Sequence, residues 1–538
     1  MSAEPTSVRR TSLELPDLVT LPALIGSRGE SHGSTPVMVE DGTVLTYGEL
    51  EARSRLTARR LLAAGVNKGT RVGLLMVNGI DWAIDAVAVM RIGATLVPLS
   101  TLLRPPELEA QLRTAGVGFL IAQREGRGRR HLDELEDHLP GFVRIGAGGA
   151  RNARLPNLRR VWAADSLPQD VAPQGLVSSI EAGIRPADDM VVMFTSGSRG
   201  TPKGVIHTHG GALRATANGL DVRCIGEGDR LYIPMPFFWM GGFGGGLIST
   251  IIAGATLLSE ANPTPATTIR FLERERATLF RGWPDQAAKI AADPAFADAD
   301  LGSLRGGSLD AVLPPELRAE PGARANLFGM TETFGPYAGF RLDTDLDPAH
   351  RGSCGLPFDG IEVRVVDVES GEPVTDGSPG SIEVRGPNIM RGICGRSRSD
   401  TFTVDGFYRT GDLGSIDADG YLFYAGRSDD MFKVSGASVF PTEVEAGLRS
   451  IDFVAQAYVT NIEGSDGEQV VGAVVVVVGD HSIVDVDHEA RRRMSSFKTP
   501  RRWVRADSVD VVPTLSTGKV DQAGLRALIA TEGRPVQR

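Results

Sequence analysis

From about Leu45 the apolar residues of this chain switch repeatedly between helical and strand spacing, and that alternation restricts the fold more than any other feature. Tyr47 to Ala64 has helical spacing, Arg71 to Val77 reads as a strand, Asp81 to Ile92 is helical again, and Val97 opens the next strand. Such units predict an α/β fold, with parallel-rich sheets covered by helices and ligands at the carboxyl ends of the strands. The pattern returns from Met190 to Leu258. Between these stretches, Arg124 to Asp189 is rich in Arg, Gly and Pro and weakly periodic, so it reads as an irregular connection with a little local structure. From Ile361 short strands with turns at Asp376-Gly377 and Asp419-Gly420 predict a small β unit. Beyond Gly426, helix (Thr442 to Arg449), strand (Val454 to Thr460), strand (Val470 to Val478) and helix (Val486 to Phe497) predict a small α+β domain.

A chain of 538 residues, 41% hydrophobic, can bury a core large enough for catalysis. Its 67 acidic against 57 basic side chains, a net charge of −10, argue against a nucleic-acid partner, which would need a basic face. Three cysteines, Cys224, Cys354 and Cys394, make neither a disulfide framework nor a thiolate metal site and fit a reducing cytosol. The segment Thr11 to Thr20 contains Glu14 and Asp17 and lacks the apolar core of a signal peptide. Leu231 to Ser259 carries no charged side chain and is long enough to span a bilayer. Pro234, Pro236 and the five glycines from Gly241 to Gly246 instead make it a strand, a glycine-rich turn and a buried helix. The expected location is therefore cytoplasmic, without a transmembrane span; peripheral membrane contact and a homodimer are left open.

The segment Met193-Phe-Thr-Ser-Gly-Ser-Arg-Gly-Thr-Pro-Lys-Gly-Val205 follows an apolar strand and concentrates small hydroxyls, glycines and a lysine. Glycines let backbone amides approach a polyphosphate, hydroxyls donate to its oxygens, and a lysine adds a compact positive charge. It is not a P-loop, since Pro202 precedes Lys203 and Gly204 follows it. Read alone, it also suits a turn-rich surface hairpin. No Ser-His-Asp order and no nucleophile elbow is visible. His207 and His209 read as packing groups rather than metal ligands.

This segment resembles the phosphate loop of the adenylate-forming superfamily, which includes acyl-CoA synthetases, luciferases and peptide-synthetase adenylation domains. Asn326-Leu-Phe-Gly-Met-Thr-Glu-Thr333, Tyr408-Arg-Thr-Gly-Asp-Leu-Gly414, Gly426-Arg-Ser-Asp-Asp-Met-Phe-Lys433 and Pro513-Thr-Leu-Ser-Thr-Gly-Lys519 are similar to that family's later motifs, in its order. The resemblance implies a fatty- or other carboxylic-acid CoA ligase that uses ATP, Mg²⁺ and CoA and forms acyl-AMP before the thioester. It places ATP or AMP on Thr195, Ser196, Gly197, Ser198, Gly200, Thr201, Lys203, Gly307, Ser308, Phe328, Gly329, Met330, Thr331, Glu332, Asp412, Arg427 and Lys519. Lys519, Glu332, Thr195 and Lys203 carry catalysis in that scheme, with Glu332 the Mg²⁺ ligand, Asp412 on the ribose hydroxyls and Phe328 against adenine. Asp429 is the implied hinge, and Lys433 and Gly436 lie on the CoA side. The division that follows is 1–426 for adenylation and 427–538 for a mobile domain bearing Lys519.

Met235-Pro-Phe-Phe-Trp-Met-Gly-Gly-Phe243 then lies at the acyl pocket, with Phe238, Trp239 and Gly242 as pocket or gate residues. No aspartate stands there to pair with an amino-acid ammonium, so an apolar acyl group is expected. Phe237, Phe238 and Phe243 suit a core equally well. Transfer to a carrier protein remains an alternative to CoA, and a non-catalytic nucleotide-binding protein a more distant one. Four positions depart from the family pattern: Arg199 and Leu515 where threonine is usual, and Phe328 and Cys394 where tyrosine is common. Arg199 suits either a phosphate contact or solvent.

Overall fold

The computed structural model describes residues 20–146, 150–195, 203–374, 376–428, 430, 432–434, 437–464, 468–494, 498–515 and 519–536. The chain forms two compact units, residues 1–362 with 384–408, and residues 363–383 with 409–538.

The first unit is built on two large sheets. A seven-stranded sheet runs Gly392–Ile393, Lys203–Thr208, Asp189–Thr195, Thr95–Pro98, Arg71–Leu75, Phe119–Ala122, Arg160–Ala163. Its last five strands are parallel, whereas Lys203–Thr208 pairs antiparallel with Asp189–Thr195, and Gly392–Ile393 antiparallel with Lys203–Thr208. A five-stranded sheet runs Leu279–Phe280, Arg230–Tyr232, Thr256–Ser259, Pro36–Glu40, Thr43–Thr46, parallel except for its last strand. The helix Ile80–Arg91 is buried on nearly every face, and one apolar cluster joins it to Val72 and Leu96 of the first sheet and to Met38, Leu231 and Leu257 of the second. A helix apolar all round needs that kind of layer between sheets.

Three elements of the first unit differ from the sequence expectation. The stretch Arg124 to Asp189 is more ordered than its composition suggests: it holds helices His131–His138 and Gln174–Ala182, and its strand Arg160–Ala163 forms the sheet's outer edge. Four residues carry too little periodicity to be read alone; pairing with Phe119–Ala122 and the stacking of Trp162 on Phe119 at 5.2 Å define them. The strand expected from Val97 begins at Thr95. The glycine-rich run is not a turn: Met240–Gly242, Phe243–Ile248 and Ser249–Ala253 follow one another as a helix whose middle six residues are wound as a π-helix. Widened turns of this kind are frequent at functional sites. No described helix is long and apolar enough to cross a membrane.

The second unit holds most of a four-stranded sheet (Glu362–Val366, Gly380–Arg385, Tyr408–Ile416, Leu422–Arg427) and a three-stranded one (Val454–Glu463, Gln469–Val477, Arg502–Ala506). Helices Pro441–Arg449, Ile483–Arg493 and Gln522–Glu532 accompany the latter. The strand Arg502–Ala506, absent from the sequence reading, pairs parallel with Gln469–Val477.

Candidate active site

The phosphate segment is a hairpin at the edge of the parallel sheet. Buried Met190, Val191, Val192 and Met193 anchor one strand, and Thr195 lies opposite Lys203 at its open end. The reversal of direction makes Thr195 and Lys203 direct cross-strand partners at one ladder step. Lys203 is half-buried and has no ion-pair partner among the described residues. Ser196, Gly197, Ser198, Arg199, Gly200 and Thr201 lie outside the described residues.

The Glu332 turn adjoins this hairpin. Thr331–Thr333 forms a single 3-10 turn between strands Phe328–Met330 and Gly335–Gly339, beside strand Asp189–Thr195. The turn is a β connection closed by Phe334 in the left-handed region at φ 54°. Thr333 Oγ1 accepts the Met330 amide at 3.2 Å and donates to the Gly335 carbonyl at 2.7 Å, which ties the turn. His207 Nε2 donates to the Thr331 carbonyl at 2.7 Å, and its ring meets Phe334 edge-on at 5.0 Å. Burial pushes the His207 pKa down to about 4, against a smaller opposing effect of that carbonyl. The imidazole is thus a neutral strut at physiological pH.

Glu332 is 8% exposed, and its carboxylate has one side-chain hydrogen bond among the described residues, from the Tyr408 hydroxyl at 3.1 Å. A buried carboxylate with one neutral donor is under-compensated and suits a hard cation, which removes the cost of burying its charge. Among the described residues no group of three or more His, Cys, Asp or Glu is gathered for a metal. Mg²⁺ that arrives with nucleotide phosphates needs only one or two protein carboxylates. Phe328 is half-buried and meets Tyr337 edge-on at 5.4 Å, Gly329 is exposed, and Met330 ends the strand. Ser308 is buried and its hydroxyl accepts the Phe280 amide at 3.1 Å, so it extends the strand Leu279–Phe280. Gly307 stands beside it at φ +91°, where a side chain would be strained.

The acyl-side segment is held by Asn78, whose amide donates to the Met235 carbonyl at 2.9 Å and accepts the Phe237 amide at 2.7 Å. Phe237 and Phe243 pack edge-on against Trp82 at 5.1 and 5.9 Å, which makes them core. Half-buried Trp239 lies edge-on to Phe238 at 5.3 Å and to Trp283 at 5.8 Å. Gly242 is obligatory, because a β-carbon there would sit 2.2 Å from the Pro236 carbonyl oxygen. His209 Nδ1 accepts the Leu21 amide at 3.2 Å, a packing role.

In the second unit, Asp412 is 6% exposed and paired in register with Arg427, whose Nη1 donates to Asp412 Oδ1 and to the Thr410 carbonyl, both at 2.9 Å. The two residues assigned to ribose by resemblance are therefore in contact. Lys519 is exposed in a short hairpin, where Thr514 bridges Val520 and the Leu515 amide donates to the Lys519 carbonyl at 2.7 Å. Asp521 then caps helix Gln522–Glu532. Lys433 lies in the strand Phe432–Val434, opposite Ser438; Asp429 and Gly436 lie outside the described residues.

Sequence reasoning missed Tyr408, Asn78 and Phe334 as supports and found His207 only as packing. Tyr408 and Asn78 meet their partners across long sequence separations, which no local spacing encodes.

The fold, the hairpin and the Glu332 turn define an adenylate-forming enzyme. Residues 27–394 match the AMP-binding enzyme family, and the chain belongs to it. It is 33% identical over 502 residues to a feruloyl-CoA synthase of Amycolatopsis sp., covering 90% of this chain and 94% of that one. It is 30% identical to a 3-hydroxybenzoate–CoA ligase of Aromatoleum sp. strain CIB, over 92% and 93% of the two chains. Among solved structures, an anthranilate CoA ligase in complex with anthranoyl-AMP shares the fold with a TM-score of 0.78 at 24% identity, over 96% of this chain and 98% of that one. The protein is an AMP-forming acid–thiol ligase.

Proposed function

We propose that this enzyme activates a carboxylic acid with an apolar, ring-sized acyl body through acyl-AMP and transfers it to CoA. The observation that carries the adenylation step is the buried Glu332 carboxylate, oriented by one neutral hydroxyl beside the Thr195–Lys203 hairpin. An edge-on Trp239–Trp283 pair and a π-wound glycine run favour a flat ring over a fatty chain, and relatives named for aromatic acids agree. Lys203 and Thr195 hold the phosphates, Asp412 and Arg427 the ribose, and Glu332 the Mg²⁺ of the nucleotide. That ion supplies charge neutralisation between phosphate oxygens. Lys519 neutralises the carboxylate and α-phosphate as they approach in line. Residues 1–426 carry the rest of this site, and 427–538, which contribute Arg427 and Lys519, move about Asp429 to bring Lys433 and Gly436 to the thiol step. Three free thiols suit the reducing cytosol.

The test is AMP and pyrophosphate release from Mg·ATP with alkanoic and aromatic acids, each with and without CoA. CoA-dependent AMP release is the expected outcome; acyl-AMP retained despite CoA would instead indicate a carrier protein as acceptor. Lys519→Ala is expected to slow acyl-AMP formation by about 100-fold or more while thioester formation from supplied acyl-AMP persists. Equal loss of both steps would remove Lys519 from the adenylation step.

A further inference from the structure

The Glu332 turn carries the one aromatic residue with a positive φ among the described residues. Met330 and Gly335 are cross-strand partners, so residues 331–334 form the loop between them, and Phe334 closes it at φ 54° and ψ 37°. That conformation is ordinary for glycine or asparagine and an outlier for a bulky side chain, so something outside the loop must hold it. The ring is 3% exposed and packs against two other elements: it meets His207 edge-on at 5.0 Å and Phe243 edge-on at 6.0 Å. Its third neighbour is Gly244, where a β-carbon would lie 3.2 Å from Phe334 Cε1 and 3.5 Å from Cδ1. Phe243 and Gly244 belong to the π-wound run of the candidate acyl wall, and His207 belongs to the phosphate hairpin.

The same loop fixes the direction of Glu332 through its backbone. The Thr331 carbonyl accepts His207 Nε2 at 2.7 Å and the Phe334 amide at 3.1 Å, and the Glu332 carbonyl accepts the Met390 amide at 2.8 Å. With the carbonyls on both sides of its α-carbon engaged, Glu332 turns only when the loop turns, and the loop closes through Phe334. The seat for the ring exists because residue 244 has no side chain. An alanine there would need the Phe334 ring to give way by a few tenths of an ångström, and His207 and Phe243 stand against that movement. Met240 Sδ, 2.9 Å from the same added β-carbon, ends a flexible side chain and is free to move aside.

We propose that Phe334 is a positioning residue for the adenylation step: its ring, seated on Gly244 of the acyl wall, holds the left-handed backbone that sets the direction of the Glu332 carboxylate. The assignment rests on the ligase reading above, in which Glu332 takes the Mg²⁺ of the nucleotide. It gives Gly244 a role besides leaving room for an acyl group. A change in the acyl wall at this position therefore alters the metal side of the site as well.

The test measures ATP binding by titration calorimetry without acid or CoA, once with a chelator and once with excess Mg²⁺. The ratio of the two dissociation constants reports what the metal adds. Glu332→Gln is expected to reduce that ratio by about 10-fold or more. Gly244→Ala and Phe334→Ala are each expected to reduce it by about 5-fold while binding of metal-free ATP stays unchanged. Phe334→Gly should reduce it less than Phe334→Ala, since glycine adopts a positive φ without a ring to hold it there. Gly244→Ala placed on Phe334→Ala should add nothing, because the ring it would crowd is gone. A role in folding alone would lower metal-free and metal-bound affinity together. That result, a parent-like ratio in Gly244→Ala or Phe334→Ala, a Phe334→Gly no better than Phe334→Ala, or effects that add in the double variant would overturn the assignment. Thermal melting identifies a variant that does not fold, and if Gly244→Ala is one, the two Phe334 variants still decide. A ratio that Glu332→Gln leaves unchanged removes Glu332 as the metal ligand and this assignment with it, whereas a reduction in Glu332→Gln alone removes this assignment only.

Discussion

At the residue scale, the chemistry depends on side chains that hold other side chains. A carboxylate already oriented before nucleotide arrives needs no rearrangement to take a cation, and the Tyr408 hydroxyl at 3.1 Å is the side-chain donor to Glu332 among the described residues. Tyr408→Phe removes one neutral hydrogen bond, a change of about 1 kcal/mol, so acyl-AMP formation should fall about 5-fold and half-saturation in Mg²⁺ should rise. Glu332→Gln keeps the shape and removes the charge; it should cost about 100-fold or more at any Mg²⁺ concentration. Pyrophosphate exchange followed against Mg²⁺ checks both, and a Tyr408→Phe enzyme with an unchanged Mg²⁺ dependence would show that the hydroxyl does not orient the ligand. Glu332, Asp412 and Lys519 stand in short, ordered motifs, so the sequence alone already proposes roles for them. Tyr408 stood inside such a motif with no role to read, because its partner lies 76 residues away.

At the element scale, helices and strands with strong periodicity appeared where the sequence put them, and the short ones took their structure from neighbours. The helix Gln174–Ala182 shows how. It buries only Val177, and its place is set by Glu181, which receives Arg91 Nε at 2.7 Å and Arg55 Nη1 at 3.1 Å. Arg91 has a side chain with no exposure; it also meets Glu51 at 3.1 Å and Ser54 Oγ at 2.7 Å, so one guanidinium joins helices Tyr47–Ala63, Ile80–Arg91 and Gln174–Ala182. Sequence spacing cannot announce such a link, since its members come from three separate segments. Arg91→Met should lower stability by about 3–5 kcal/mol, because Glu51 and Glu181 would stay partly buried beside Arg55 alone. The triple variant Arg91→Met, Glu51→Leu, Glu181→Leu should recover a large part of that loss, since replacing a whole buried ion network by apolar groups is often neutral. Chemical denaturation of the two variants checks this, and a triple variant no more stable than Arg91→Met would mean that packing rather than uncompensated charge sets the cost. The glycine-rich run is the converse case: its composition indicated a turn, yet it forms a π-wound helix in which β-carbons added at Gly244 and Gly246 would crowd Met240, Phe334 and Ile233.

At the scale of the whole molecule, two buried groups in the first unit oppose each other in the pH dependence of stability. Asp85, 6% exposed on the buried helix Ile80–Arg91, is pushed up to about 7, chiefly by burial and then by Asp81, with Arg53 and Arg60 pulling the other way. Its raised pKa means that its stabilising contribution is complete below the unfolded value near 4 and is lost as pH rises through 7, a change of roughly 4 kcal/mol. His209, with no exposure, is pushed down to about 4 by burial, Asp188 and Lys68 acting in opposite directions. Its lowered pKa gives a contribution that is complete above about 6.5 and is lost as pH falls towards 4, roughly 3 kcal/mol, because protonation at Nδ1 would also displace the Leu21 amide. Between pH 4 and 7 the two slopes have opposite signs and largely cancel. Asp85→Asn should therefore gain stability relative to the parent as pH rises, with most of the gain in place by pH 8. His209→Asn, whose amide oxygen can still accept from Leu21, should gain relative to the parent as pH falls to 4.5. Thermal melts of the three proteins from pH 4.5 to 8 test this pair of opposed slopes, and curves that stay parallel to the parent would show that neither group changes its protonation on unfolding.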